Sequence, residues 1–125
     1  MSRVFHIAIA VQDISTSVED YNERMGQPAD IVVEGQYALW RTKELNLSIR
    51  KASPGEGGRL RHIGWETEDA AQFTCDKDCN GLLWEEFTAK QQAAEIEAAW
   101  PGTQYKPKKL KGKKDKNKDM PGSGV

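Results

Sequence analysis

The stretch Arg3 to Val11 (RVFHIAIAV) is short, apolar and rich in branched residues, which predicts a strand buried on at least one face. Alternation puts His6, Ala8 and Ala10 on one side and Phe5, Ile7, Ile9 and Val11 on the other, so His6 stands among small residues that leave room for a ligand. A helix follows, with Ser15 or Thr16 as the expected N-cap and Glu19 in a capping-box relation to Thr16. Ile14, Val18, Tyr21 and Met25 form its narrow apolar stripe, and Gly26 closes it. Three segments of strand character come next, Asp30–Glu34, Tyr37–Thr42 and Leu45–Lys51, separated by Gly35-Gln36 and Lys43-Glu44. In the last of them Leu45, Leu47 and Ile49 share one face, which leaves Asn46, Ser48 and Arg50 on the other. Residues 3–53 therefore read as a β-α-β-β-β unit.

A Gly-rich segment, Ser53 to Gly58, reads as a flexible hinge, and the opening pattern then returns. FHIAIAVQD at 5–13 is echoed by RHIGWETED at 61–69, each an apolar strand with histidine second, leading into an acidic turn. The echo predicts a second helix over Ala70 to Asn80 ended by Gly81, then a strand over Leu82–Phe87. Thr88 caps a third helix whose Ala89, Ala93, Ile96 and Trp100 share a face, and Pro101-Gly102 stops it. The second unit, 59–87, is thus incomplete, and the helix over 88–100 is an addition. The fold class expected is α+β, with residues 1–105 forming one domain.

Length and composition limit the rest. With 125 residues, of which 38% are hydrophobic, there is material for one modest core. No run of 18 apolar residues occurs and no signal-peptide cleavage pattern follows the N-terminal strand, so a cytoplasmic protein without a membrane partner is expected. The net charge of −1 conceals an asymmetry: residues 106–119 carry eight lysines and two aspartates, +6, against −7 for the rest. Residues 106–125 read as a disordered Lys-rich tail. It has neither arginine nor interleaved aromatics, so it reads as a solubilising segment and no nucleic-acid partner is expected. Cys75 and Cys79, placed by this reading on the second helix beside Asp76 and Asp78, are expected to be reduced thiols without a metal or redox role. The four tryptophans, Trp40, Trp65, Trp84 and Trp100, read as core or dimer contacts before a ligand cage.

The segments HIAIAVQDISTSVEDYNERMGQP and RHIGWETED resemble the opening strands and helix of the vicinal oxygen chelate superfamily, the glyoxalase, bleomycin-resistance and extradiol dioxygenase type. That resemblance covers residues 3 to about 87. It implies paired β-α-β-β-β modules forming a cupped mixed sheet, often with a divalent metal inside the cup. It assigns the first-strand and fifth-strand histidine positions to His6 and His62, the two histidines of the chain, as metal ligands. The fourth-strand carboxylate of the family has no counterpart, because Asn46, Ser48 and Arg50 take the cup-facing positions there. The eighth-strand ligand is missing with its strand, and Glu34 or Glu85 has no motif behind it as a replacement. Glu66 lies on the His62 side of its strand but about 13 Å along it, too far to share an ion, and is assigned as the candidate general base.

Three functions follow from these residues. One is a metal-dependent lyase, isomerase or dioxygenase in which His6 and His62 hold zinc, nickel, iron or manganese. The second is metal-free sequestration of a small anionic or aromatic compound, with Arg50, Ser48 and Asn46 as ligand-binding residues; an arginine fork suits a carboxylate, phosphate or phosphonate. The third is an interaction protein acting through its C-terminal helix or tail. The hinge and the incomplete second unit also lead to the expectation of a homodimer.

Overall fold

The central position of β1 (Arg3–Val11) follows from its sequence, since a strand apolar on both faces is stable only between two neighbours and two layers. In the computed structural model, which describes residues 3–110, β1 pairs with β4 (Leu45–Lys51) in parallel and with β5 (Arg59–Thr67) antiparallel. The parallel pair needs a crossover. α1 (Ile14–Met25), β2 (Ile31–Val33) and β3 (Tyr37–Arg41) supply it. β5 pairs in parallel with β7 (Leu83–Phe87), which carries β6 (Thr74–Lys77) antiparallel on its outer edge. The result is an α+β fold with one open, mixed, seven-stranded sheet in the order β2-β3-β4-β1-β5-β7-β6, followed by α2 (Ala89–Ala99).

Period-two alternation assigns the two faces. Ala38, Trp40, Leu47, Ile49 and Val11 pack with Ile14 into a core, and Ile7, Ile9, Val18, Tyr21 and Met25 close it, so the α1 stripe is used as the spacing predicts. On the opposite face Tyr37 and Leu39 bury against Ile96 of α2, with Trp100 and Tyr105 beside them. The face carrying α2 is the one that also holds His6, Asn46 and His62, all buried. Asn22 ties α1 to the sheet: its side-chain carbonyl accepts from the Ala29 amide at 2.9 Å and from Trp40 Nε1 at 3.0 Å. Trp40 is fully buried.

The structure differs from the sequence reading at four places. The α1 N-cap is Asp13, whose carboxylate accepts from the Thr16 amide, because acidic Asp13 is already extended ahead of the first turn. The helix expected over 70–80 does not form. That segment lacks an apolar stripe of helical period, and Asp78 instead organises a turn, accepting from the Asn80 and Leu82 amides and from Trp84 Nε1, with Gly81 at φ 82. A β6–β7 hairpin results, and it leaves Cys75 and Cys79 exposed as free thiols on a strand and a turn. The Ser53–Gly58 segment is anchored: Gln12 Oε1 accepts from the amides of Gly55 and Gly57, and a Cβ on Gly57 would crowd Gln12 at 3.1 Å. Finally, the tail does not begin at Lys106, since Lys108 Nζ pairs with Asp30 at 2.6 Å and its carbonyl accepts from Arg41. The remaining residues of the Lys-rich tail, from 111 onward, lie outside the described residues.

Replacing Asn22 with Leu removes the acceptor for two partly buried N–H groups. We predict a loss of about 1–3 kcal/mol in urea denaturation, with no change in secondary structure by circular dichroism; an unchanged midpoint would contradict the tie described here.

Candidate metal and ligand site

The site is built from the bottom of the sheet upward. Arg41 on β3 and Glu66 on β5 form a buried, two-pronged ion pair, Nε to Oε1 at 3.0 Å and Nη2 to Oε2 at 2.6 Å. Burial by itself would lower the Arg41 pKa, but the Glu66 carboxylate more than offsets it and the net direction is upward. Glu66 Oε1 also accepts from Asn46 Nδ2 at 2.8 Å. Asn46, with no exposed surface, is gripped from the other side by Gln92 of α2, whose Oε1 accepts from Asn46 Nδ2 at 2.9 Å.

These partners determine the orientation of the Asn46 amide. A carboxylate can only accept, so the NH2 group of Asn46 must face Glu66 and its carbonyl must face the other way, toward His6. His6 Nδ1 lies 2.8 Å from that carbonyl and must donate to it. Nδ1 therefore carries the proton, and the lone pair of the neutral ring sits on Nε2. Burial lowers the His6 pKa; the Asn46 hydrogen bond works against this, while the neighbouring His62 adds to it. Phe87 packs edge-on to the His6 ring, with centroids 5.0 Å apart.

Nε2 of His6 points at two further groups. His62 Nε2 is 3.1 Å away, and Glu85 Oε1 lies 3.7 Å from His6 and 3.0 Å from His62. His6, His62 and Glu85 are thus three donor groups whose ligand atoms all fall within 4.8 Å of one another. The arrangement needs Gly64. In the parallel β5–β7 register Gly64 is opposite Glu85, and a Cβ on Gly64 would fall onto the carbonyl oxygen of Glu85. Only a residue without a side chain lets β7 approach closely enough to deliver that carboxylate.

The triad opens into a pocket of about 140 Å³ between the sheet and α2, lined also by Tyr37, Ser48, Arg50, Arg61, Phe73 and Trp100. Of the residues singled out from sequence, His6 and His62 meet, and Ser48 and Arg50 line the same pocket. Asn46 lies beneath it as the support of His6. Glu66 is not among the lining residues: it is held by Arg41 and Asn46, and the pocket carboxylate outside the triad is Glu95 of α2. Trp40 is core as read, whereas Trp100 is a pocket wall. Sequence reasoning left Glu85 without a role and passed over Arg61. The signal available for Glu85 was a pair of acidic residues, Glu85 and Glu86, inside a short strand with apolar ends, LWEEF.

Neither a family model nor a curated protein matches this sequence. Among solved structures, one described as an NAD-dependent benzaldehyde dehydrogenase from Legionella pneumophila is similar at 9% identity and a TM-score of 0.47, over 67% of this chain and 97% of that chain. A likeness of that size carries no functional argument.

Two outcomes follow from this geometry. Gly64→Ala should cost about 1–3 kcal/mol in urea denaturation through the forced separation of β5 and β7, and an unchanged midpoint would contradict the close approach. Because burial holds the His6 pKa below 6.5, the unfolded chain takes up the His6 proton first, so stability falls as pH is lowered through that value. For metal-free protein we predict a lower urea midpoint at pH 5.5 than at 7.5, with a smaller difference in His6→Gln. An equal difference in both proteins would contradict a buried neutral His6.

Proposed function

We propose that His6, His62 and Glu85 hold a divalent metal ion and that the pocket above them is the site of metal-assisted chemistry on a small oxygen-bearing molecule. The observation that carries this reading is the convergence of two imidazoles and a carboxylate with edges of 3.0, 3.1 and 3.7 Å. Ligand atoms about 2.0–2.2 Å from a tetrahedral centre are separated by about 3.3–3.6 Å, so the three edges fit a shared ion. Two histidines and one carboxylate also form the donor set of zinc hydrolases and of non-haem iron oxygenases. Zinc, nickel, iron and manganese are the candidates.

When bound, such an ion supplies a Lewis acid for a substrate oxygen. The chain supplies the rest. Glu66, through Asn46, keeps the His6 lone pair aimed at the ion position, and Gln92 locks the amide that does so. Phe87 and Phe73, stacked at 5.2 Å, give the site an apolar wall that limits water.

The resemblance to glyoxalase-like proteins gains a second support from strand pairing. β1 pairs in parallel with β4, which pairs antiparallel with β3; β5 pairs in parallel with β7, which pairs antiparallel with β6. We read these as paired modules of a cupped sheet, the second lacking its helix and one strand. In this reading Ala8 opposite Ser48 corresponds to Gly64 opposite Glu85, so the missing fourth-strand carboxylate is compensated by the second module. The activity class is then lyase, isomerase or dioxygenase.

A second reading, metal-free sequestration, draws on the same distances. His62 Nε2 lies 3.0 Å from Glu85 and 3.1 Å from His6 Nε2, which supports a metal-free state in which one His62 N–H is shared between the two. Metal content separates the two. Under the metal reading, inductively coupled plasma mass spectrometry on untagged protein gives about one ion per chain, lost in His62→Ala and Glu85→Ala. Protein that takes up no ion after supplementation with any of the four metals would leave the sequestration reading standing.

A further inference from the structure

The β1–β5 ladder contains one irregularity. Ala8 is opposite His62 and the next residue, Ile9, is opposite Leu60, so Arg61 is an extra residue on β5 with no partner on β1. Strict alternation would send Arg61 and His62 to opposite faces of the sheet. Both line the pocket. A bulge of this kind re-aims a side chain, and here it adds a cation to the His62 side of the strand.

The cation it adds has a counterpart. Arg50, at the far end of β4, lines the same pocket, its guanidinium 5.1 Å from the centre of the Trp100 ring. Among the described residues neither the Arg50 nor the Arg61 guanidinium has a hydrogen bond or an ion pair. Two guanidiniums facing one partly enclosed cavity repel each other. Glu85, which also faces Arg61, is engaged with His62, and Glu95, the other carboxylate of the lining, lies on α2. Guanidinium forks present paired N–H groups that match the two oxygens of a carboxylate or phosphate, and an oxyanion between them would relieve their repulsion.

We propose that Arg61, delivered by the β5 bulge, and Arg50 form a clamp for a small oxyanion, so that the molecule taken by this pocket carries a carboxylate or phosphate group. The proposal rests on the pocket reading given above and names its substrate class. His6, His62 and Glu85 line the same pocket, so the ligand is a compact acid whose anionic group lies against the arginines. The pocket volume of about 140 Å³ suits a molecule of small-metabolite size.

The test is isothermal titration of the full-length protein with oxalate and, separately, inorganic phosphate. Each titration is run on metal-free and on zinc-loaded samples, for wild type, Arg61→Met, Arg61→Lys and Arg59→Met. Arg59 is the control: it is two residues away on the same strand, exposed, paired with Glu56 at 3.2 Å and absent from the pocket lining. The expected result is binding of at least one anion to wild type, weakened about tenfold in Arg61→Met, partly retained in Arg61→Lys and unchanged in Arg59→Met, with zinc uptake equal in all four. Oxalate against phosphate tells which oxyanion the clamp prefers. Equal affinity in wild type and Arg61→Met, an equal loss in Arg59→Met, or no binding of either anion to wild type would overturn the clamp. The metal-free titrations read the clamp alone, so a protein that binds oxalate through Arg61 but takes up no zinc would contradict the metal reading and not this one.

Discussion

A carboxylate can accept hydrogen bonds but cannot donate one, and this restriction at Glu66 propagates through the whole site. Arg41 donates to both oxygens of Glu66, and Oε1 also receives the Asn46 amide. Asn46 must then present its carbonyl to His6, and His6 must use its Nδ1 proton there, so its free nitrogen faces His62 and Glu85. No link in this chain can be reversed without placing two donors or two acceptors face to face in a buried place. Desolvation offsets much of the attraction in a buried ion pair, which is why this one acts as a positioning device more than as a source of stability, although removing one partner would leave an uncompensated charge.

The backbone contributes as much as the side chains. Gly64 lets β7 close on β5 and carry Glu85 to the histidines. The bulge at Arg61 brings a second arginine onto a face that regular pairing would deny it. α2 then covers the open half of this face, bringing Gln92 to Asn46, Ile96 to Tyr37 and Leu39, and Trp100 to the pocket wall. The same capping box that starts α2 at Thr88 and Gln91 also ties it to the loop after β5, because Gln91 Nε2 donates to the Ala70 carbonyl.

Period-two and period-3.6 patterns made the first half of the chain legible. The strand faces of β1 and β4, the α1 stripe and the Gly26 terminator follow from spacing alone, and so does the placing of His6, Asn46, Ser48 and Arg50 on the face away from α1. The second half resisted because its echo of the first half is only partial. Residues 68–80 keep the acidic opening but not the apolar stripe, and the turn chemistry of Asp78 and Gly81 decides for a hairpin. Glu85 could not be assigned without knowing that β5 and β7 run parallel in that register. Arg61 could not be assigned because a bulge breaks the very periodicity from which faces are read. Glu66 was legible as a residue of the correct face but not as the partner of Arg41, a contact across 25 positions of sequence.

The central claim is that a buried chain from Arg41 to His6 presents a bare Nε2 to the pocket. Nitrogen-15 NMR of the imidazole rings in metal-free protein at pH 7.5 reads this directly. The account predicts that His6 carries its proton on Nδ1, with an unprotonated Nε2, and that Asn46→Leu loses this preference. A His6 ring protonated on Nε2 in the wild type would contradict it.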